Sequence, residues 1–330
     1  MANIQDVAQA AGVSVATVSR FFNDRSAVSL KSRKKVDEAI KQLNYEPSVL
    51  ARNLRKTESR LLLVLIPKIS NPFYSEIING IQDVAINNRY NILLCETDSN
   101  PEREDIYFNL VRNKMADGII TMDPAVQVDS LIELAASHPI IQCSEYAVES
   151  GIPYVTIDHE EAAYQAVRHL IQLGHKEIAL INSHEKFLYS RKRENGYKRA
   201  LEKDNLPFNE EWIIRCEELE FINGQLAMRK ILGGNNRPTA VFAVSDLLAI
   251  GALKELHHAE LNVPNDVALV GFDKIAFSNM TYPALTTVAQ PMYEMGKLSA
   301  KMLIDKIKGK EVENVTLDFE LVIRESTLGR

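Results

Sequence analysis

From residue 61 onward the chain alternates short apolar runs with stretches of helical period, and this alternation constrains the fold more than any other feature. The runs are "LLLVLIP" from Leu61, "NILLCET" from Asn91, "DGIITMD" from Asp117, "PIIQCSE" from Pro139, "EIALINS" from Glu177, "TAVFAVS" from Thr239 and "VALVGFD" from Val267. They are rich in Leu, Ile and Val at consecutive positions, as strands buried on both faces are. Helical patterns lie between them: "PFYSEIINGIQDVAINN" from Pro72, "EEAAYQAVRHLIQLG" from Glu160, "FINGQLAMRKILGG" from Phe221 and "SDLLAIGALKELHHAELN" from Ser245. Strand followed by helix followed by strand predicts right-handed βαβ units in doubly wound parallel sheets, with ligands bound beyond the carboxyl ends of the strands. The 330 residues exceed what one core of ordinary size organises, so two or three domains are expected.

The first sixty residues carry helical periodicity and no strand pattern. One helix is predicted from about Ile4 to Ala11, ended by Gly12, which can take the left-handed conformation. Ser14 is placed to cap a second helix that turns Val18, Phe21 and Phe22 inward and Val15, Ala16, Ser19 and Arg20 outward. A third, from about Leu30 to Leu43, completes a core of Ile4, Val7, Ala8, Val36, Ile40 and Leu43. Pro47 opens a further short helical stretch that holds Leu50, Arg52, Leu54 and Arg55. Two short helices around a Gly-containing turn form a helix-turn-helix pattern, whose second helix enters a major groove. An ordinary three-helix cap with a solvated Arg20 has the same local pattern.

Charge favours the first. Residues 1–60 hold 11 Lys and Arg against 6 Asp and Glu, a net of +5, within a chain of net charge −6, so the remainder carries −11. Basic charge confined to the helical segment suits contact with a polyanion there.

Cys95, Cys143 and Cys216 are odd in number and widely spaced in apolar surroundings, which argues against a disulfide framework and for a reducing compartment. The longest apolar run, Leu61 to Ile66, falls far short of the roughly 20 residues of a membrane helix, and no leader pattern opens the chain. A cytoplasmic location, at the bacterial nucleoid, with no membrane partner is expected. Signatures for dinucleotide, phosphate-loop, acyl-transfer and zinc chemistry are absent from the sequence. His257 and His258 are neighbours pointing about 100° apart on a helix and cannot share one metal. Neither an enzyme, nor a cofactor, nor a metal site is expected. A transport-type sugar-binding protein, or a sugar-binding module without a DNA role, is the alternative of another class, but it has no use for the basic front.

A set of stretches in a fixed order carries a resemblance: "IQDVAQAAGVSVATVSRFFN", "YEPSVLARNLR", "PKISNPFYSEIINGI", "PYVTIDHEEAAYQAVRHLIQLGHKEIALI", "RKRENGYKRAL", "PTAVFAVSDLLAIGAL", "NVPNDVALVGFD" and "PALTTVAQPMYEMG". In these stretches, which span nearly the whole length, the chain resembles transcription regulators of the LacI/GalR family, with "ESRLLLVLIP" and "FELVIREST" most like cytidine-responsive members. Carbon-catabolite and ribose-type regulators share many of the same words. The resemblance implies an all-α helix-turn-helix headpiece (1–45), a hinge helix or linker (46–60) and an α/β effector and dimerisation domain of the type I periplasmic-binding fold (61–330). The latter has two doubly wound lobes, about 61–158 with 289–319 and about 159–288 with 320–330, joined by three crossovers.

By the same resemblance, Val15, Ala16 and Arg20 meet base edges, and Arg20 has the fork that guanine O6 and N7 accept bidentately. Ser14, Thr17, Ser19 and Asn23 suit phosphate oxygens. Leu54 matches the hinge leucine that wedges into a minor-groove step, flanked by Arg52 and Arg55. The implied partners are double-stranded operator DNA, a second copy in a homodimer, a small effector that is a nucleoside such as cytidine or a sugar, and room for a second regulatory protein. The matching effector positions are Phe73, Tyr74, Arg193, Asp246 and Asp273, with Phe221 nearby. An Arg fork with carboxylates suits sugar hydroxyls, and an aromatic wall suits a base or sugar face. The chain departs from the family where Phe21 and Phe22 replace smaller aliphatics, where Lys274 replaces Asn, and at Leu219, where nucleoside-responsive relatives tend to have an aromatic.

Overall fold

The computed structural model describes residues 2–23, 25–45, 58–124, 128–234 and 236–328. The chain divides into two compact units, residues 1–59 and 60–330.

In the first unit α1 (Ile4–Ala11), α2 (Val15–Asn23) and α3 (Leu30–Gln42) surround a core sealed by Val7, Val18, Phe21 and Val36. Each start is set by a polar side chain. Asn3 forms a reciprocal box with Asp6, its side chain accepting from the Asp6 amide at 3.2 Å while the Asp6 carboxylate accepts from the Asn3 amide at 2.8 Å. Ser14 accepts from the Thr17 amide at 3.2 Å, and Ser29 from the Ser32 amide at 3.3 Å. Gly12 closes α1 with φ +61°, as its residue type predicts.

Three expectations for this core shift in detail. Ile4, Ile40 and Leu43 are only partly buried, whereas Ala11, Val28 and Ala39 are sealed. Val15, expected on the outward face, is half-buried against the core. Phe21 fills the centre, with the Arg25 guanidinium 4.5 Å from its ring centroid, while Phe22 is half-buried between Phe21 and Tyr45. The larger side chains are thus accommodated by tilting the second ring to the rim.

The second unit begins with β1 (Leu61–Ile66), α4 (Phe73–Asn87), β2 (Asn91–Glu96), α5 (Pro101–Arg112), β3 (Gly118–Thr121), α6 (Val128–Ala135), β4 (Ile140–Cys143) and β5 (Tyr154–Ile157). It continues with α7 (His159–Gln172), β6 (Ile178–Ser183), α8 (Leu188–Lys203), β7 (Ile213–Cys216), α9 (Phe221–Leu232), β8 (Ala240–Ala243), α10 (Asp246–His258), β9 (Ala268–Asp273) and β10 (Thr286–Ala289). Then follow α11 (Met292–Ile307), β11 (Val315–Leu317), β12 (Glu320–Val322) and α12 (Glu325–Leu328).

Two six-stranded sheets result, in the orders β11-β5-β4-β3-β1-β2 and β12-β10-β9-β8-β6-β7. Neighbours run parallel except β12, which is antiparallel to β10. The central strand β1 pairs on both edges, Leu63 with Leu93 and with Ile119. Its continuous apolar run is explained by helices on both faces: Leu62, Val64 and Ile66 face α4 and α11, whereas Leu63 and Leu65 face α5 and α6. The chain crosses between sheets after β5, after β10 and after β11, which makes two lobes with a cleft between them.

Helices pair closely over the sheets where glycine permits it. A Cβ on Gly80 of α4 would strike the Tyr293 carbonyl of α11, and one on Gly296 the Ile77 carbonyl. All three cysteines are buried and unpaired. Among the described residues, no helix is long and apolar enough to cross a membrane.

Candidate functional site

Two regions collect the residues singled out in the sequence. On α2, Ser14, Ala16 and Arg20 are exposed and Thr17 and Ser19 half-exposed, on the side away from Val18 and Phe21. Ser14 and Thr17 are joined by a 2.9 Å hydroxyl contact and the Thr17 amide bonds back to Ser14, so the first turn is fixed before any ligand meets it. Asn23 ends the helix. Arg52, Leu54 and Arg55 lie outside the described residues.

The second region is a cavity of about 610 Å³ in the cleft. Its walls are the segments that follow the carboxyl ends of the strands in both lobes: after β1 (Lys68 to Tyr74), β2 (Ser99), β3 (Asp123), β4 (Glu145), β6 (Ser183 to Arg193), β7 (Leu219 to Ile222) and β9 (Asp273). Phe73 and Tyr74 form one aromatic wall, edge to face at 5.2 Å, and Phe187 and Tyr189 another, stacked at 5.3 Å.

Arg193 lies at the base, 3 % exposed. Its guanidinium sits 3.6 Å from the Phe272 ring centroid, donates to the Val244 carbonyl and donates to His159 Nδ1 at 3.2 Å. Since a guanidinium has no acceptor, His159 must accept at Nδ1 and carry its proton on Nε2, which faces the Thr156 hydroxyl at 3.4 Å. Burial and the neighbouring cation hold the His159 pKa well below its ordinary value, consistent with this neutral tautomer. Asp273 stands 3.9 Å from Arg193 and accepts from Gln290 Nε2 at 2.7 Å. Burial lifts its carboxyl to about 7 despite the guanidinium. The backbone there is strained, with φ +114° at Asp273 and +60° at Lys274, a cost of the kind retained where side-chain aim matters.

Glu145 reaches from the loop after β4 in one lobe to the start of α8 in the other. It accepts from the amides of Leu188 and Tyr189, supplying the cap that Phe187, at the N-cap position, cannot. Burial raises its carboxyl to about 7. At the mouth, Lys68 of one lobe pairs with Glu218 and Glu220 of the other, the latter at 2.8 Å.

Of the effector positions expected from the sequence, Phe73, Tyr74, Arg193, Phe221 and Asp273 line this cavity. The structure places Asp246 outside the lining. It is fully buried at the first turn of α10, its carboxylate accepting from Thr287 Oγ1 at 2.6 Å and from the Ile275 amide at 2.9 Å. A Cβ on Gly271 would strike it, so this carboxyl ties α10 to the β9 and β10 ends from beneath. Sequence reasoning missed Asp123, Glu145, Lys68 and the Glu218–Glu220 mouth. A usable signal existed for the first two: each is the last residue of an apolar run read from the sequence and lies two residues beyond the strand that the run forms, the position where parallel sheets expose functional groups.

The model for bacterial regulatory proteins of the lacI family matches residues 3–48, and the model for periplasmic binding proteins and the sugar-binding domain of that family matches residues 59–325. The chain belongs to the LacI family. Among LacI-family relatives, catabolite control protein A of Priestia megaterium is 38 % identical over 328 residues, covering 98 % of each chain. The transcriptional repressor CytR of Escherichia coli K12 is 36 % identical over 329 residues, covering 99 % of this chain and 96 % of that one. The crystal structure of the Lac repressor dimer bound to operator and the anti-inducer ONPF superposes with a TM-score of 0.87 at 28 % identity, over 99 % of both chains. The chain is accordingly a DNA-binding transcriptional repressor of the LacI family and not an enzyme.

Proposed function

We propose that the protein represses transcription as a homodimer on a palindromic operator, with operator affinity set by a nucleoside or sugar bound in the cleft. The observation that carries the DNA part is the face of α2 opposite its core contacts, where Ala16 and Arg20 are exposed above a first turn already fixed by Ser14. Arg20 reads a guanine edge, Ala16 and the exposed part of Val15 offer apolar contact to a thymine methyl, and Ser14, Thr17, Ser19 and Asn23 hold phosphates. Leu54, flanked by Arg52 and Arg55, wedges the central minor-groove step. In the cleft, Arg193 and Asp273 bind ligand hydroxyls between the Phe73–Tyr74 wall and Phe221. Asp246 acts from beneath by holding the end of β9.

Fluorescence anisotropy on a labelled duplex library at fixed salt tests the DNA part, because phosphate contacts make affinity steeply salt-dependent. Sequence-selective binding to palindromes with a central C-G step is expected, and cytidine, adenosine, ribose or a hexose should shift it. Equal affinity for every duplex would refute the operator reading.

A further inference from the structure

The two lobes are tied to each other by the protein's own side chains as well as by the crossovers. At the mouth Lys68 pairs with Glu218 and, at 2.8 Å, with Glu220. All three side chains are partly exposed, so salt screens this tie. A second tie is buried. Glu145, 8 % exposed, accepts from the Leu188 amide and, at 3.1 Å, from the Tyr189 amide at the start of α8. Beside it the Lys192 ammonium of α8 donates to the Tyr146 hydroxyl at 2.9 Å and lies 5.3 Å from the centroid of that ring.

The buried tie is prepared from both sides. On its own lobe the segment is pinned: the Ser144 amide donates to the Val155 carbonyl at 2.8 Å, the Ser144 carbonyl accepts from the Thr156 hydroxyl at 2.9 Å, and Tyr146 stacks on Tyr154 at 3.9 Å. Ser144, directly before Glu145, has φ +70°, a left-handed conformation that a residue other than glycine adopts at a cost. On the other lobe α8 offers first amides with partial positive charge and an N-cap residue, Phe187, that makes no side-chain bond to them. Drawing the lobes apart here strips two amides and a buried carboxylate of their partners together, which resists opening. One turn further along α8 stands Arg193, its guanidinium 5.0 Å from the Tyr189 ring centroid, so the grip falls on a helix that reaches into the cavity.

We propose that Glu145 and Tyr146 form a clamp between the lobes that, with Lys68 as an outer latch, holds them together on the protein's own contacts, so that a ligand meets a closure already made rather than causing one. The clamp is independent of what the cleft binds. Its consequence for a ligand rests on the reading of the cleft as the effector site. The two ties divide the task by their surroundings: the exposed latch yields to salt, and the buried clamp does not. Entry therefore begins at the mouth, where Lys68 must leave its two carboxylates, while the hold on α8 persists.

Spin-label distances in the full-length protein, measured without ligand, test this. Glu102→Cys on one lobe and Glu202→Cys on the other place labels at exposed positions, while the native cysteines are buried. Labelled subunits diluted into unlabelled ones report distances within one chain. With the clamp intact, one narrow distance should appear and stay the same between about 0.05 M and about 1 M salt. Glu145→Ala with Lys68→Met should move about a tenth of the molecules or more into a second, longer distance. Glu145→Ala alone should show that population chiefly at high salt, where the latch is screened. Glu145→Gln keeps one acceptor oxygen and should lie between the two. If the alanine variants do not fold, Tyr146→Phe with Lys68→Met retains the carboxylate and should still give a longer population. A single unchanged distance in the folded double variant, or two comparable populations with the clamp intact, overturns the proposal. Failure of the effector reading would appear as no ligand bound and would leave these distances unmoved.

Discussion

The headpiece and the cleft place their functional side chains in opposite environments. On α2 the side chains proposed to meet DNA are exposed or half-exposed, short or flexible, and stand on a small core sealed, among the described residues, by eight side chains. In the cleft Arg193, Asp123, Glu145 and Asp273 are all at least nine-tenths buried, and desolvation moves each of their ionisation equilibria away from the charged form. A surface that meets a polyanion needs no preformed pocket, because the duplex supplies shape and charge. A cleft for a small molecule must hold charge in a dry place and bears the desolvation cost beforehand. Substitutions in the two regions should therefore fail differently: in the headpiece through lost packing or lost contacts, in the cleft through the balance of buried charge.

The largest effect should come from the small core. Phe21→Ala removes the ring at the centre of the headpiece and should cost about 3–5 kcal/mol there. Calorimetry should show the headpiece transition lost while residues 60–330 melt as before and still bind ligand. Simultaneous loss of the second transition would show that the two units do not fold separately.

Next is the buried charge of the cleft. The Glu145 carboxyl is raised to about 7, so folding favours its protonated form. Its stabilisation is fully present below the unfolded pKa, near 4.3, and is lost as pH rises through about 7. Glu145→Gln cannot ionise, so its stability relative to wild type should improve between pH 5 and pH 8, by at most about 3 kcal/mol. Urea unfolding at both values reads the difference. A gap independent of pH would mean that Glu145 remains charged in the fold throughout, held by the α8 amides.

Arg20→Ala should weaken operator binding by about 1–3 kcal/mol and relax selectivity at one base pair per half-site, with no change in melting temperature. A uniform loss over all sequences would make Arg20 a phosphate contact. The smallest effect belongs to the α1 start, where Asn3→Ala should cost the headpiece about 1 kcal/mol, visible as a lower urea midpoint of its transition. No loss at all would mean that water caps α1 equally well.

How much could be read in advance follows the same division. All seven apolar runs are strands, and the four helical patterns between them are helices, because continuous Leu, Ile and Val in short runs has few other solutions. Five strands escaped. β5, β7 and β10 are four residues each, with Thr, Arg or Tyr among them, and β11 and β12 are three-residue edge strands with little burial. α8 was missed because "LYSRKRENGYKRALEK" is dense in charge, and its buried face mixes Arg193 and Glu194 with Tyr197, Ala200 and Leu201, which blurs the apolar period.

In the headpiece, caps and breakers are local signals, and Asn3, Gly12, Ser14 and Ser29 act where their residue types suggest. In the cleft, each carboxyl's role depends on neighbours distant in sequence. Asp246 and Asp273 both sit at strand–helix junctions, yet Thr287 and Ile275 engage one from beneath while the other faces the cavity. No local pattern distinguishes them.

The central claim is that cleft and headpiece are coupled, and linkage requires the coupling to be reciprocal. The most direct test is to measure by titration the affinity of a ligand that shifts operator binding, first for the protein alone and then for the protein saturated with operator DNA. The account predicts that the two affinities differ by the factor by which that ligand changes operator affinity, roughly 5- to 150-fold. Equal ligand affinities with and without operator would contradict it, even if the protein binds both.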